Sequence, residues 1–299
     1  MKTQHLKLLG LMILGLVAVL GFAQEQRADR VVVPLSNPLK PALIEASVMR
    51  GSITVKGTEG KEVIVEAKIR EKSLTKKEDE DSEEMANEAA EEIGEKDQKR
   101  TEEKATGMKL ISGAATTGLE VEEENNVVSI NADSWKNAVD LTIQVPFASS
   151  LKLESNNDGD IVVENVSGEI EVNNLNGSNT LKNVSGIVIA ETLNGDVTVS
   201  LNKVTPEKPM SFSSMNGDID VTFPADLKAN VKMKTERGDI YSDFDVVLKP
   251  GLQKVEEGRK EKGKFHISFD KSIFGSINGG GPEFQFNTFN GNIYIRKKK

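Results

Sequence analysis

The sequence predicts an all-β fold, a single-stranded β-solenoid (β-helix-like) of short parallel strands with about 18–22 residues per coil. Glycines at 159, 168, 177, 186 and 195 keep a nine-residue beat. Counted from each glycine, position +2 carries Ile161, Ile170, Asn179, Val188 and Val197, and position +4 carries Val163, Val172, Leu181, Ala190 and Val199. Position +7 carries Val166, Leu175, Val184 and Leu193, which the pattern places facing inward after a corner. Such a unit cannot bury its apolar face alone, and stacking unit on unit builds a continuous core.

The elements follow in chain order. Residues 1–23 read as a signal peptide: Lys2 and Lys7, an apolar run from Leu8 to Gly21, and small residues at Gly21 and Ala23. The rival reading is an uncleaved anchor, but the run is shorter than the roughly 20 residues that a membrane span needs. The protein is therefore expected to be exported, to the periplasm or the cell surface, with no membrane span after cleavage. Residues 24–41 read as an N-terminal linker. Residues 42–70 alternate in strand fashion, with Ile53 and Val55, then Val63, Val65, Ala67 and Ile69, and a turn at Thr58–Gly60.

Composition changes abruptly after Arg70. Between Glu71 and Lys104 there are 14 acids against 7 bases, with few β-branched residues. Residues 71–107 are expected to be a charged insertion, helical or disordered, whose stripe of Met85, Ala89 and Ile93 is too thin for a buried face. Residues 108–296 then form the solenoid domain. Strands are expected at Met108–Ile111, Leu119–Val121, Val127–Ile130 and Val139–Val145, with Pro146 ending the last. After Gly195 the units NGDIDV, RGDIYS and NGNIYI place further corners at Gly217, Gly238 and Gly291. Phe265, Phe269, Phe274, Phe284, Phe286 and Phe289 are expected to fill and cap the last coils, and residues 297–299 form a basic tail.

The glycines are preceded by Asp, Ser or Asn, pairs that accept positive φ and reverse the chain cheaply. Because SG and NG alternate, the true coil is expected to span two units. Asn165, Asn174, Asn183 and Thr192 at position +6 are then expected to stack.

Charge and composition exclude several functions. The formal charge of −9 is concentrated in the insertion, which argues against a nucleic-acid partner. The chain contains no cysteine, so neither disulfides nor thiol chemistry can contribute. Calcium-binding nonapeptide repeats need paired glycines and an acid in every turn, whereas Ser178 and Ile187 stand at +1 here. A weaker cation site is offered by the row Asp196, Asp218 and Asp239, read as successive coils of one face; the alternative is a solvated acidic row. His266 is the sole histidine beyond the leader and is read as an exposed strand residue, which leaves nucleophilic triads at most one base and makes a His-rich zinc site impossible. Asp218 and Asp220 could pair for glycosidic acid–base work, but they fall on the outside of a regular strand. Ile187 and Ile189 are apolar at outward positions and mark a possible contact patch. No cofactor is expected.

One resemblance rests on particular residues. VDLTIQVP, then LKLESNNDGDIVVENVSGEIEV, then LNGDVTV and MNGDIDV, ending in NGNIYIRK, is similar to the bacterial putative-adhesin β-solenoid family, a domain-of-unknown-function family of cell-envelope proteins. The resemblance runs from Ala42 to Arg296 without the acidic insertion. It implies the fold and an envelope location, with no catalytic residues to carry over. The expected function is a non-enzymatic, adhesin-like envelope protein that presents its faces to a protein or glycan. Alternatives are a polysaccharide-processing enzyme on the same scaffold, or a periplasmic stress-sensing or assembly scaffold.

Overall fold

A computed structural model describes residues 28–70, 117–249 and 272–299, with the backbone of 256–257 and 267–268. The expected leader, the insertion 71–107, the strand at Met108–Ile111, and Phe265, His266 and Phe269 lie outside the described residues. All regular structure among the described residues is β-strand. The N-terminal strands are β1 (Asp29–Pro34), β2 (Leu43–Arg50), β3 (Ile53–Thr58), β4 (Glu62–Ile69), β5 (Leu119–Glu124), β6 (Val127–Ala132) and β7 (Val139–Pro146). The central ones are β8 (Ser150–Asn157), β9 (Ile161–Glu164), β10 (Ser167–Asn176), β11 (Asn179–Asn194), β12 (Val197–Val204), β13 (Met210–Asn216) and β14 (Ile219–Phe223). The C-terminal ones are β15 (Ala229–Arg237), β16 (Ile240–Ser242), β17 (Val246–Lys249), β18 (Glu256–Glu257), β19 (Ile267–Ser268), β20 (Ile273–Ile277), β21 (Glu283–Asn290) and β22 (Ile293–Lys297).

Period-two alternation builds two faces. In β7 every second residue, Val139, Leu141, Ile143 and Val145, is buried, and Pro146 closes the strand as its missing N–H requires. One face runs β6–β2–β8–β10–β11–β13–β21–β15, all parallel. The other runs β7–β3–β9–β11–β12–β14–β22–β16, also parallel. β11 belongs to both, since it turns the corner near Asn183, where its ladder with β12 shifts register. The buried residues of the two faces form one core.

Antiparallel strands close the ends. β5 lies against β6, and β4 then β1 lie against β7. At the other end β20 lies against β15 and β17 against β20. The N-terminal edge strand β5 carries Glu120, Glu122, Glu123 and Glu124, charges that oppose pairing with a further strand. β1 occupies part of the region expected to be a linker; its Val33 is drawn into the core by pairing with Val63 on β4. The turn at Thr58–Gly60 joins β3 to β4, yet these strands do not pair, because β7 lies between them. The basic tail also begins inside a strand, since Lys297 closes β22.

The coils do not stack in chain order. The coil β2–β3 sits between β6–β7 and β8–β9. Likewise the chain's last coil, β21–β22, sits between β13–β14 and β15–β16. NGNIYI therefore forms an internal rung, and RGDIYS forms the outer one. The aromatic core records this: Phe286 of β21 stacks on Phe212 of β13 at 5.2 Å, and Phe284 on Phe223 at 5.5 Å. Of the six late phenylalanines, Phe284 and Phe286 are buried and Phe289 is exposed.

Candidate functional site

The corner from the first face to the second sets the site. Gly51, Gly159, Gly177, Gly195, Gly217, Gly291 and Gly238 stack there in one column. A Cβ on Gly217 would lie 2.0 Å from the Gly195 carbonyl oxygen, closer than any side chain tolerates. Positive φ is thus only part of the reason for glycine: Gly217 has φ +156°, whereas Gly159 and Gly238 lie outside the left-handed region and are held to glycine by the same close approach. Gly168 and Gly186, expected as corners, lie within β10 and β11 and pass close to the Ser149 and Gly168 carbonyls. The left-handed residues of the opposite corner are Asn165 and Asn183, with φ 58° and 54°.

Three side-chain ladders fasten the glycine corner. In the first, the residue after each glycine offers a side-chain oxygen to the next rung's backbone N–H. Ser178 N–H donates to Asp160 Oδ1 at 2.8 Å, Asp196 N–H to Ser178 Oγ at 3.1 Å, and Asp218 N–H to Asp196 Oδ1 at 2.8 Å. Asn292 N–H continues it to Asp218 Oδ1 at 2.7 Å, and Asp239 N–H to Asn292 Oδ1 at 2.9 Å. In the second, the asparagine amides bond in file: Asn176 to Asn157, Asn194 to Asn176, Asn216 to Asn194, and Asn290 to Asn216, at 2.6–3.0 Å. In the third, buried side chains donate to glycine carbonyls, with Thr192 Oγ1 to Gly177, Ser214 Oγ to Gly195 and Thr288 Oγ1 to Gly217 at 2.8–3.0 Å.

The ladders change how the expected site residues read. Asp196 and Asp218 are neighbours, but Asn292 separates Asp218 from Asp239, so the three do not form a continuous acidic row. Asp220 is committed to Arg296, whose Nε donates to both carboxylate oxygens at 2.7 and 2.8 Å and whose guanidinium this bond raises above its ordinary pKa. The asparagine ladder arises from the residues just before the glycines. At +6, Asn174 and Thr192 bond glycine carbonyls instead, and Asn165 and Asn183 make the opposite corner. Ile187 and Ile189 are half-buried, paired with Glu169 and Glu171 on one side.

A different row is apolar and open. Leu175, Leu193, Met215 and Phe289 are 43%, 38%, 48% and 42% exposed. The register of their flanking pairs puts them on successive rungs, since Asn176, Asn194, Asn216 and Asn290 follow them in file. The expectation that +7 residues face inward holds for buried Val166 and Val184 and fails for Leu175 and Leu193. The reason is the third ladder. At a glycine corner the inward place is taken by the preceding polar residue, Asn174 or Thr192, so alternation turns the next residue out.

This row lines one side of a groove of roughly 630 Å³ along the solenoid axis. Beside it, outward residues pair in the order Glu154, Asn173, Glu191, Ser213, Asn287 and Lys234. The row ends where Arg237 lies over the Phe289 ring at 5.5 Å. Near the other end, Arg70 binds Asp140, the Asp158 carbonyl and Ser52, and its hydrogen bond to Asp140 raises its pKa. On the second face Tyr241 and Tyr294 stack at 5.2 Å with an interplanar angle of 9°, and the charge of Asp239 raises the Tyr241 pKa. Trp135 is exposed away from this groove. Among the described residues no three His, Cys, Asp or Glu side chains converge as a metal site, and no helix is long and apolar enough to cross a membrane.

A solved structure of a putative cell adhesion protein from Clostridium sporogenes ATCC 15579 is similar with a TM-score of 0.42 and 9% identity, covering 91% of this chain and 100% of that one. A putative adhesin from Bacteroides fragilis NCTC 9343 is similar with a TM-score of 0.32 and 12% identity, covering 91% of this chain and 98% of that one. At these values the likeness carries no argument about function. No curated protein matches the sequence. The family described as Toastrack DUF4097 matches residues 38–266, most of the chain and the glycine units from Gly159 to Gly238, though not the closing NGNIYIRK. The chain belongs to the Toastrack family, a domain-of-unknown-function family.

Proposed function

We propose that the protein is an exported, non-enzymatic, adhesin-like component of the bacterial envelope that presents its repetitive β-solenoid surface to a protein or glycan. The observation that carries this reading is the open row Leu175, Leu193, Met215 and Phe289. Folding alone does not need large apolar side chains there, since the inward places of these rungs are already filled. The aspartates that the glycine units offered for acid–base work favour structure over catalysis: Asp196 and Asp218 hold backbone N–H groups, and Asp220 holds Arg296. An acid already accepting a structural bond is a poor candidate for proton transfer.

The test is fractionation of native cells followed by crosslinked pull-down of the mature protein. The reading predicts an envelope fraction, surface exposure and recovered partners. A protein that stays soluble, partnerless and never surface-exposed would sink it. Arg70 favours a second reading, a periplasmic assembly scaffold, because its bonds to Ser52 and Asp140 anchor the chain to the solenoid just before residues 71–107 begin. Deleting 71–107 separates the two: partners persist if the groove binds them and vanish if the insertion does.

A further inference from the structure

We infer that the groove over Leu175, Leu193, Met215 and Phe289 is the docking site for a short amphipathic helix of a partner protein, with an apolar stripe flanked by lysine or arginine. The inference rests on the envelope-binding reading and names the chemistry of its partner.

Geometry selects a helix. The row crosses the strands at right angles, one side chain per rung, with rungs about 4.8 Å apart. A helix laid along the row offers an apolar residue about every 5.4 Å, once per turn, so successive turns meet successive rungs. Three rung steps span about 14 Å, the length of roughly ten helical residues. An extended peptide would need a free strand edge for its backbone. Here β10, β11, β13 and β21 are each hydrogen-bonded on both sides, so none of the strands that carry the row offers an open edge.

Charge selects a basic one. Glu154 and Glu191 line one flank of the row, and Asp196 and Asp218 stand at the corner on the other. None of these four has a lysine or arginine partner among the described residues. Lys234 on that flank is paired with Glu236 and Arg237 lies over Phe289, so the field favours cations along the Leu175 to Met215 part of the row, where it opposes an acidic occupant such as residues 71–107. Size argues against a second copy, because four part-exposed side chains fall well short of the roughly 800 Å² per partner in a stable protein interface.

The probes are two synthetic helices of about 14 residues with leucines at i, i+3, i+4 and i+7, one flanked by lysines and one by glutamates. Anisotropy of labelled peptide against the full mature chain gives the affinities. The lysine helix should bind, and the glutamate helix should bind at least about tenfold more weakly. The L193S/M215S variant should lose about tenfold in affinity, and E154K/E191K should favour the glutamate helix. Unchanged binding by L193S/M215S, equal binding of the two helices, or dimerisation through the row in sedimentation would each overturn the inference. Envelope partners recovered equally by wild type and L193S/M215S would overturn the groove and leave the adhesin-like reading standing. Row-dependent peptide binding by a protein never found on the envelope would support the groove and overturn that reading.

Discussion

A Cβ on Gly217 lands 2.0 Å from the Gly195 carbonyl oxygen, whereas one on Gly60 meets the Thr58 hydroxyl oxygen at 3.2 Å, a contact that a shift of a few tenths of an ångström relieves. Gly217→Ala is therefore expected to cost about 3 kcal/mol, combining overpacking with left-handed strain, and Gly60→Ala under about 1 kcal/mol. Urea unfolding of both variants checks the pair. Glu123 provides the pH-sensitive residue. The Ser36 N–H at 3.1 Å, the Ser36 hydroxyl at 2.9 Å and the Asn126 N–H at 2.9 Å hold its carboxylate below the ordinary value of 4.5. A depressed folded pKa gives stability that is fully present above the unfolded value and lost as pH falls through the lower folded one. Hydrogen exchange at the Ser36 amide is thus expected to speed up as the carboxylate protonates below pH 4.5, while Val33 in the neighbouring strand stays protected. The glycines are legible in the sequence as a beat. Their reason is not, because a carbonyl of another rung, from 18 residues away at Gly177 to 108 at Gly159, supplies it.

Between elements, the side-chain ladders are as regular as the backbone. Asp218 Oδ1 accepts the Asn292 N–H, joining β14 to β22 at their starts. Asp218→Asn keeps an acceptor, as Asn292 itself shows toward Asp239, and should change stability by under about 0.5 kcal/mol. Asp218→Leu strands a part-buried N–H and should cost about 1–3 kcal/mol; thermal unfolding of the two variants distinguishes the effects. The strands themselves are legible, since alternation marks β7, β12 and β14 directly. The open row is not. Leu175 and Val166 share a nine-residue phase, and only an 18-residue coil makes their environments different. The signal that separates them is the residue before the apolar one: Asn174 and Thr192 bond a glycine carbonyl, while Asn165 and Asn183 turn with positive φ.

Across the whole molecule, the chain's first and last coils are internal rungs. In a solenoid stacked in chain order, removing the last repeat costs one interface. Here, deleting residues 283–299 removes the rung between β13–β14 and β15–β16 and uncovers Phe212 and Phe223. The truncated chain is expected to lose cooperative unfolding and to bind a hydrophobic dye, whereas a clean transition with a modest loss would mean β15–β16 closes the gap. Chain order could not reveal this stacking, because NGDIDV, RGDIYS and NGNIYI are equivalent as units and any of them could end the stack. The decision lies in pairing: Phe284 and Phe286 find Met210 and Phe212 on β13, and β15 then covers β21. The same stacking carries Phe289 into line with Leu175, Leu193 and Met215, so the binding row exists only in the folded order.

The most direct measurement is photocrosslinking in living cells from a single reactive side chain placed at Leu193, at Met215, or at Thr198 on the opposite face. The account predicts a discrete crosslinked partner from Leu193 and Met215 and none from Thr198. Equal yields from all three positions, or a partner captured only through Thr198, would contradict it.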